Sequence, residues 1–216
     1  MSVSLFIGLV ILVYSAILHE VAHGFVADKL GDPTARLAGR LTLNPKNHID
    51  PMMSIALPLL LILSHSPVVF GAAKPVPVDY FNLKEGRKDI ALVSLAGPLT
   101  NVLLAVAASI LIRVFSVPFI EAVIPSFLSL IIYFLLSSII TYNLLLAIFN
   151  LIPIPPLDGS KVFALLLPEE EANIYLSIGS VGMFILFFLL LFPLGGFSLG
   201  SFIFNLTDFA RGLLIP

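Results

Sequence analysis

The chain has 216 residues, of which 59% are hydrophobic and 11% are charged, and its mean hydropathy is +1.10. Soluble domains usually carry about 25% charged residues, so the composition predicts an all-α integral membrane protein with five to six transmembrane helices. A net charge of −2 without a basic tract argues against a nucleic-acid partner, and the absence of cysteine excludes disulfides, thiolate metal sites and cysteine nucleophiles.

The first predicted span covers residues 3–27, which as a helix is about 37 Å long and sufficient to cross a bilayer. It lacks the basic region and small-residue cleavage site of a signal peptide, so we expect it to be retained. Its last third carries His19, Glu20 and His23. Ionisable residues inside a membrane helix are costly, and they indicate a functional site.

These three residues form a His-Glu-x-x-His motif. His19 and His23 are four residues apart, so their imidazoles lie one turn apart on the same helix face and can bind one zinc ion. Glu20 projects about 100° round the helix from His19, which suits a base acting on a metal-bound water. The alternative is a cluster of polar side chains that only pair with one another between helices.

Between the first two long spans, the sequence predicts a short β element and a re-entrant segment. Residues 35–43 alternate enough for a short strand, and residues 52–65 are too short to cross the membrane, which favours a re-entrant helix. Two prolines keep residues 71–78 extended. Lys74 and Val76 in this segment could bind an unwound substrate by β-addition, and an ordinary connector is the alternative.

Further spans are predicted at residues 90–114, 127–150 and 173–192, and the apolar tail at 196–214 is either a last span or an interfacial helix. Asn101, one turn into the second long span, is expected to hydrogen-bond across helices, with a contact to the site as the alternative. Three roles are open for His48, which lies between two turn signals: a loop histidine, a group of the substrate pocket, or one that controls metal access.

A catalytic zinc site needs a third protein ligand and an open position for water. The candidates on sequence alone are Asp28, His48, Asp50 and Asp158, and less favourably Asp32, His65 and Asp79. Asp158 is favoured because it follows a proline-broken stretch, residues 153–156, after a span that ends on the same side as the histidines. Irregular backbone at membrane depth is tolerated where it lines a cavity. The alternative is an ordinary Asp-Gly turn.

If residues 52–78 enter and leave the membrane on one side, most basic residues lie on the side of the histidines. These are Lys29, Arg36, Arg40, Lys46, Lys74, Lys84, Arg87, Lys88 and Lys161. Arg113 is opposite. By the positive-inside rule, the active site is expected to open to the cytoplasm.

His19-Glu20-Val21-Ala22-His23, Ala96-Gly97-Pro98, Phe149-Asn150-Leu151-Ile152-Pro153 and Leu157-Asp158-Gly159 resemble motifs of the site-2 protease family of intramembrane zinc metalloproteases. The resemblance covers residues 5–165. It implies one zinc ion per chain, held by His19, His23 and Asp158, with Glu20 activating water and Asn150 steadying the oxyanion or the substrate. It also implies regulated intramembrane proteolysis of transmembrane protein substrates in a bacterial or archaeal cell membrane.

Residues 1–216 are expected to form one integral-membrane metalloprotease domain, a compact form with neither a PDZ nor a CBS domain. Two other functions compete with this prediction: a metal-binding transporter and a catalytically silent membrane scaffold. A transporter predicts polar residues along several spans and often an internal repeat, whereas the polar groups here cluster at one end. The sequence leaves open the physiological substrate and the oligomeric state.

Overall fold

The computed structural model describes residues 3–56, 59–60, 63, 74–117 and 123–215. The α-helices in these ranges are α1 (Val3–Leu30), α2 (Thr34–Leu37), α3 (Arg87–Phe115), α4 (Ser126–Asn150), α5 (Asp158–Phe163), α6 (Glu169–Ser177), α7 (Gly179–Leu191) and α8 (Leu199–Leu214). Short 3-10 turns lie at Pro45–Asn47, Tyr80–Asn82 and Ala164–Leu166, and a π-helix lies at Pro51–Ala56.

Three of these helices, α1, α3 and α4, are long and apolar enough to span a membrane. The number rises to four if α6 and α7, which are bent by 66° at their junction, count as one broken span. The prediction of five to six spans is therefore not confirmed over the described residues. Helix α8 has 16 residues, which is about 24 Å and shorter than the ~30 Å hydrocarbon core.

The predicted strand at 35–43 is wrong. Residues Thr34–Leu37 form helix α2, and turns follow it. The Asp32 carboxylate accepts hydrogen bonds from the backbone N–H and the hydroxyl of Thr34, the first helical residue. This local side-chain contact favours a helix start over the strand that the alternation of side chains suggested. Most of the predicted re-entrant segment beyond Ala56 lies outside the described residues.

The α1, α3 and α4 helices form one bundle in which α3 runs antiparallel to α1. Small residues allow close approach: an added Cβ at Gly8 of α1 would collide with the Tyr142 side chain of α4. Between α3 and α4, a buried apolar cluster contains Ala105, Ala108, Ile112, Leu136, Ile140 and Leu144. Because of this arrangement, the end of α1, the start of α3 and the end of α4 lie at one end of the bundle.

The short helix α5 is held at this same end. The Arg87 guanidinium at the start of α3 donates hydrogen bonds to the carbonyl oxygens of Ala164 and Leu167, which follow α5. Helix α5 begins at Asp158. The fold therefore brings the first residue of α5 to the helix that carries His19 and His23.

Candidate metal centre

Three buried side chains meet where α1, α3 and α5 converge. The Nε2 atoms of His19 and His23 each lie 3.1 Å from Oδ2 of Asp158. Candidate ligand atoms of the three residues are all within 4.8 Å of one another. Two imidazoles and a carboxylate are a ligand set that zinc takes in hydrolytic sites. Of the candidate third ligands that the structure describes, Asp158 is the one that joins the histidines; His65 lies outside the described residues.

Hydrogen bonds at the far side of each ring orient the two histidines. His23 Nδ1 donates to the Val93 carbonyl oxygen at 2.6 Å, and His19 Nδ1 lies 2.6 Å from Oδ1 of Asn101. A carbonyl oxygen can only accept, so His23 Nδ1 carries a proton, and Nε2, which faces Asp158, is the nitrogen that can bind a metal ion. Such partners behind the ring are the usual support of a metal-binding histidine.

Gly97 of α3 leaves the space in which the ligand atoms meet. A Cβ atom added at Gly97 would lie 2.5 Å from Nε2 of His19 and 2.5 Å from Nε2 of His23. The missing side chain keeps a small volume open directly beside both nitrogens. The residues present therefore fit a zinc ion in both chemistry and space.

Asp158 reaches the histidines through irregular backbone between α4 and α5. The prolines at 153, 155 and 156 prevent a continuous helix, and the Pro155–Pro156 peptide bond is cis. Gly159 permits the close return of the chain, because a Cβ there would collide with the Leu151 carbonyl. Lys161 Nζ lies 3.4 Å from Oδ1 of Asp158, on the side of the carboxylate away from the histidines.

Glu20 contacts the segment of residues 74–78, which lies between α2 and α3 in the sequence. The backbone N–H of Val76 donates to Oε2 of Glu20 at 2.8 Å. Val76 itself packs close to α1, since a Cβ at Gly24 would lie 2.6 Å from Cγ1 of Val76. The contact orients the Glu20 carboxylate, and Oε1 is the oxygen of this group that does not take part in it.

The backbone of residues 74–76 is held by two loop residues. Arg40 Nη2 donates to the carbonyl oxygens of Lys74 and Pro75, at 2.8 and 3.2 Å, and the Lys74 N–H donates to the His48 carbonyl at 2.8 Å. Arg40 is buried, and its two bonds to the segment are part-buried. These bonds hold the segment beside the metal centre, where Pro75, Val76 and Val78 line the adjoining cavity.

Asp32 ties the end of α1 to the other end of this segment. Its carboxylate accepts hydrogen bonds from the Asp79 N–H at 2.8 Å and the Asn82 side-chain amide at 2.9 Å, besides those from Thr34. Burial raises the pKa of Asp32, but the hydrogen bonds from Thr34, Asn82 and Asp79 outweigh it and hold the pKa below its usual range. A charged carboxylate thus anchors the loop at neutral pH.

A cavity of about 490 Å³ opens onto the metal centre. Of the residues predicted from sequence, six line it: His19, Glu20, His23, Val76, Asn150 and Asp158. Three others do not line it. Lys74 is exposed, His48 is buried in the loop with Nε2 bonded to the Thr42 carbonyl, and Asn101 is buried behind His19.

Lys161 and Tyr80 are among the lining residues that sequence reasoning missed. The Lys161 ammonium lies 5.9 Å from the centroid of the Tyr80 ring. A signal existed for Lys161, because it is three residues after Asp158 and therefore on the same helix face. Nothing in the local pattern points to Tyr80, which reaches the cavity through the fold of the loop.

The sequence of the chain is similar to one protein family and to several known proteins. The chain matches the profile of "Peptidase family M50" over residues 7–193. It is 38% identical to the Bacillus subtilis protein named "Putative zinc metalloprotease YwhC" over 188 aligned residues. The alignment covers 87% of this chain and 81% of that protein.

Two further relatives come from a mycobacterium and an archaeon. The Mycobacterium tuberculosis H37Rv protein named "Putative zinc metalloprotease Rip2" is 34% identical over 176 residues, which is 82% of this chain and 62% of that protein. The Methanocaldococcus jannaschii protein named "Putative zinc metalloprotease MJ0611" is 39% identical over 101 residues, 44% of this chain and 45% of that protein. No solved structure matches the chain significantly.

Proposed function

This chain belongs to peptidase family M50, the site-2 proteases, and is a membrane zinc metalloprotease; from this we propose that it cleaves transmembrane segments of membrane proteins. We propose His19, His23 and Asp158 as the zinc ligands, Glu20 as the general base and Asn150 as the oxyanion donor. The substrate is a membrane helix that enters from the bilayer.

One observation carries the proposal. Two imidazole nitrogens and one carboxylate oxygen converge within 4.8 Å beside a cavity that Glu20 also lines. A cluster that served only to pair polar side chains would have no need of the open volume at Gly97 or of a carboxylate on the cavity wall. This arrangement supports hydrolysis better than a silent scaffold.

A zinc ion at this centre supplies a Lewis acid that acidifies water and polarises a carbonyl group. Glu20 accepts the proton of the attacking water and passes it to the leaving amine nitrogen. Because the Val76 N–H bonds to Oε2, Oε1 is the oxygen that we assign to proton transfer. Each reaction therefore consumes one water molecule and breaks one peptide bond.

Asn150 lines the cavity from the last turn of α4. Its amide Nδ2 now donates to the Leu146 carbonyl of its own helix at 2.9 Å. In the reaction, we propose that this donor turns to the substrate carbonyl oxygen as negative charge develops there. Leu146 would keep its ordinary helical hydrogen bond, so the exchange leaves no buried group unpaired.

Residues 74–78 restrict how a substrate can bind. The N–H groups of Lys74 and Val76 are both engaged, and Pro75 and Pro77 have none. A β-addition that uses the Val76 N–H must first release Glu20, which links substrate pairing to the freeing of the base. Substrate pairing through the Val76, Pro77 or Val78 carbonyl oxygens carries no such requirement.

The proposal is tested by metal analysis and cleavage together. Wild-type protein, His23→Ala and Asp158→Ala are reconstituted with a transmembrane peptide, and the cut is located by mass spectrometry. We expect one zinc per chain and a cut inside the apolar stretch for wild type, and loss of both in the two variants. Asp208→Ala, an exposed position on α8, is the matched control. Zinc retained in both variants, or cuts only outside the apolar stretch, would contradict the proposal.

We also propose that the site opens to the cytoplasm. The ends of α1 and α4 and the start of α3 lie together, and nine of the eleven basic residues belong to the segments at this end. The other two are Arg113, near the opposite end of α3, and Arg211 of α8. This asymmetry supports a cytoplasmic orientation by the positive-inside rule.

The chain contains no cysteine, so single cysteines can report the orientation. Glu85→Cys lies at the site end and Val117→Cys at the far end, both at exposed positions. With a membrane-impermeant maleimide, we expect Val117→Cys to react in intact cells of the expression host and Glu85→Cys to react only after lysis. The reverse pattern would place the active site outside the cell.

A further inference from the structure

Behind His19, buried polar side chains connect α1, α3 and α4. Asn101 of α3 and Asn143 of α4 have no exposed surface, and Ser15 of α1 is 4% exposed. All three sit in helices long enough to span a membrane. Polar groups at such positions are costly unless they are fully hydrogen-bonded, so their combination in one place calls for a function.

Each hydrogen bond in this group fixes the direction of the next. Asn143 Nδ2 donates to the Ile139 carbonyl at 2.9 Å and to Oγ of Ser15 at 2.9 Å. Because a backbone carbonyl can only accept, the Asn143 amide has one allowed orientation, and its Oδ1 faces Asn101. Asn101 Nδ2 donates to this oxygen at 2.8 Å and to the Ser15 carbonyl at 3.4 Å.

The orientation of Asn101 in turn fixes the proton on His19. With Nδ2 of Asn101 directed to Asn143, its Oδ1 faces His19 Nδ1 at 2.6 Å and acts as the acceptor. His19 Nδ1 must then carry a proton, which leaves Nε2, the nitrogen beside Gly97 and 3.1 Å from Oδ2 of Asp158, as the one that can bind a metal ion. The hydrogen-bond relay thus begins at a backbone carbonyl of α4 and ends at a candidate metal ligand of α1.

We propose that Ser15 and Asn143, acting through Asn101, are positioning residues that set the tautomer and ring orientation of His19 for metal binding. The proposal rests on the proposed function, in which His19 is a zinc ligand. His23 obtains the same support in one step, from the Val93 carbonyl. His19 obtains it from side chains on two other helices, so the packing of α4 against α1 and α3 determines metal affinity.

Zinc affinity is the first test, measured by chelator competition on the purified full chain. We expect Asn101→Leu and Asn143→Leu to weaken zinc binding by about 10–100-fold, which is the usual effect of removing a partner behind a metal-binding histidine. Ser15→Ala removes one acceptor and is a milder variant if the leucine variants fail to fold; we expect it to weaken binding in the same direction. Ser109→Ala, which removes a buried α3 hydrogen bond to the Leu214 carbonyl, is the matched control.

The tautomer of His19 is the second test, because a purely structural role would leave it unchanged. The chain has four histidines, so ¹⁵N-histidine labelling gives few imidazole signals, and His19→Gln identifies that of His19. The spectra are recorded on metal-free protein that carries Asp158→Ala, so that no carboxylate competes for the proton at Nε2, and at a pH where the ring is neutral. In this background we expect a proton on Nδ1 both with and without Ser109→Ala. A mixture of tautomers is expected in Asn143→Leu.

The outcomes separate the relay from the proposed function. Wild-type zinc affinity and a single Nδ1–H tautomer in folded Asn143→Leu, with zinc binding lost in His19→Ala, would overturn the relay alone. Wild-type zinc affinity in His19→Ala would overturn the ligand assignment, and the inference with it. Weakened binding together with a mixed tautomer in Asn143→Leu, but not in Ser109→Ala, would establish the positioning role.

Discussion

Replacement of Glu20 by glutamine is expected to reduce peptide-bond cleavage by about 10²–10⁴-fold, the usual contribution of a positioned general base. Zinc content should remain that of the wild type, because Glu20 is outside the group of three residues whose ligand atoms converge. Glutamine keeps a side-chain oxygen that can accept the Val76 N–H, so the segment across the site should stay in place. What the amide loses is the ability to take a proton from water.

The measurement is the initial cleavage rate of a reconstituted transmembrane peptide, with zinc per chain determined on the same samples. Glu170→Gln makes the same chemical change at an exposed position in the first turn of α6 and should leave both quantities unaltered. A Glu20→Gln variant that cleaves at the wild-type rate would show that another group activates the water. Loss of zinc in this variant would assign Glu20 to the metal instead.

Replacement of Gly97 by alanine is expected to abolish zinc binding, and cleavage with it. The new Cβ would lie 2.5 Å from the Nε2 atoms of both histidines, closer than such contacts allow, and its backbone is held in the middle of α3 next to Pro98. Alanine favours a helix over glycine by about 1 kcal/mol, so loss of α3 itself is not the expected cause. Zinc binding is expected to be lost because the methyl group fills the volume beside the two nitrogens.

Gly212→Ala is the matched control, since it is also a helical glycine and nothing lies within 4 Å of its added Cβ. Zinc per chain and melting temperature in detergent should be measured for both variants. We expect Gly97→Ala to fold without zinc and Gly212→Ala to behave as wild type. Full zinc content in Gly97→Ala would mean that the metal lies elsewhere than between His19, His23 and Asp158.

The local sequence pattern was sufficient to predict how the two histidines of α1 lie relative to each other. A spacing of four residues places His19 and His23 on one helix face, and no tertiary contact can change that relation as long as the helix forms. Membership of the site-2 protease family and a zinc-dependent protease activity, both expected from the motifs, are confirmed by the family match and the relatives. The three core spans are also close to the observed helices α1, α3 and α4.

Hydropathy was a poorer guide to the remaining helices. It predicted one span at 173–192, where the chain forms α6 and α7 with a bend of 66° between them. An average over a window measures how apolar a segment is, but it contains no information on where the segment bends. The strand at 35–43 failed for a related reason, because the alternation contains no information on the hydrogen bonds that the Asp32 carboxylate accepts from Thr34 at the start of α2.

The sequence by itself determined the membrane environment, the zinc-protease family and the face of α1 that carries the histidines, since each follows from composition or from residues close together in the chain. Only the tertiary structure decided what surrounds them. Asn101 is 82 residues from the His19 that it contacts, Asp158 is 139 residues from it, and Val76 is 56 residues from Glu20. Helical periodicity fixes the face on which a side chain lies, but its partner depends on how the helices pack, and packing is set by many small contacts such as those at Gly8 and Gly97.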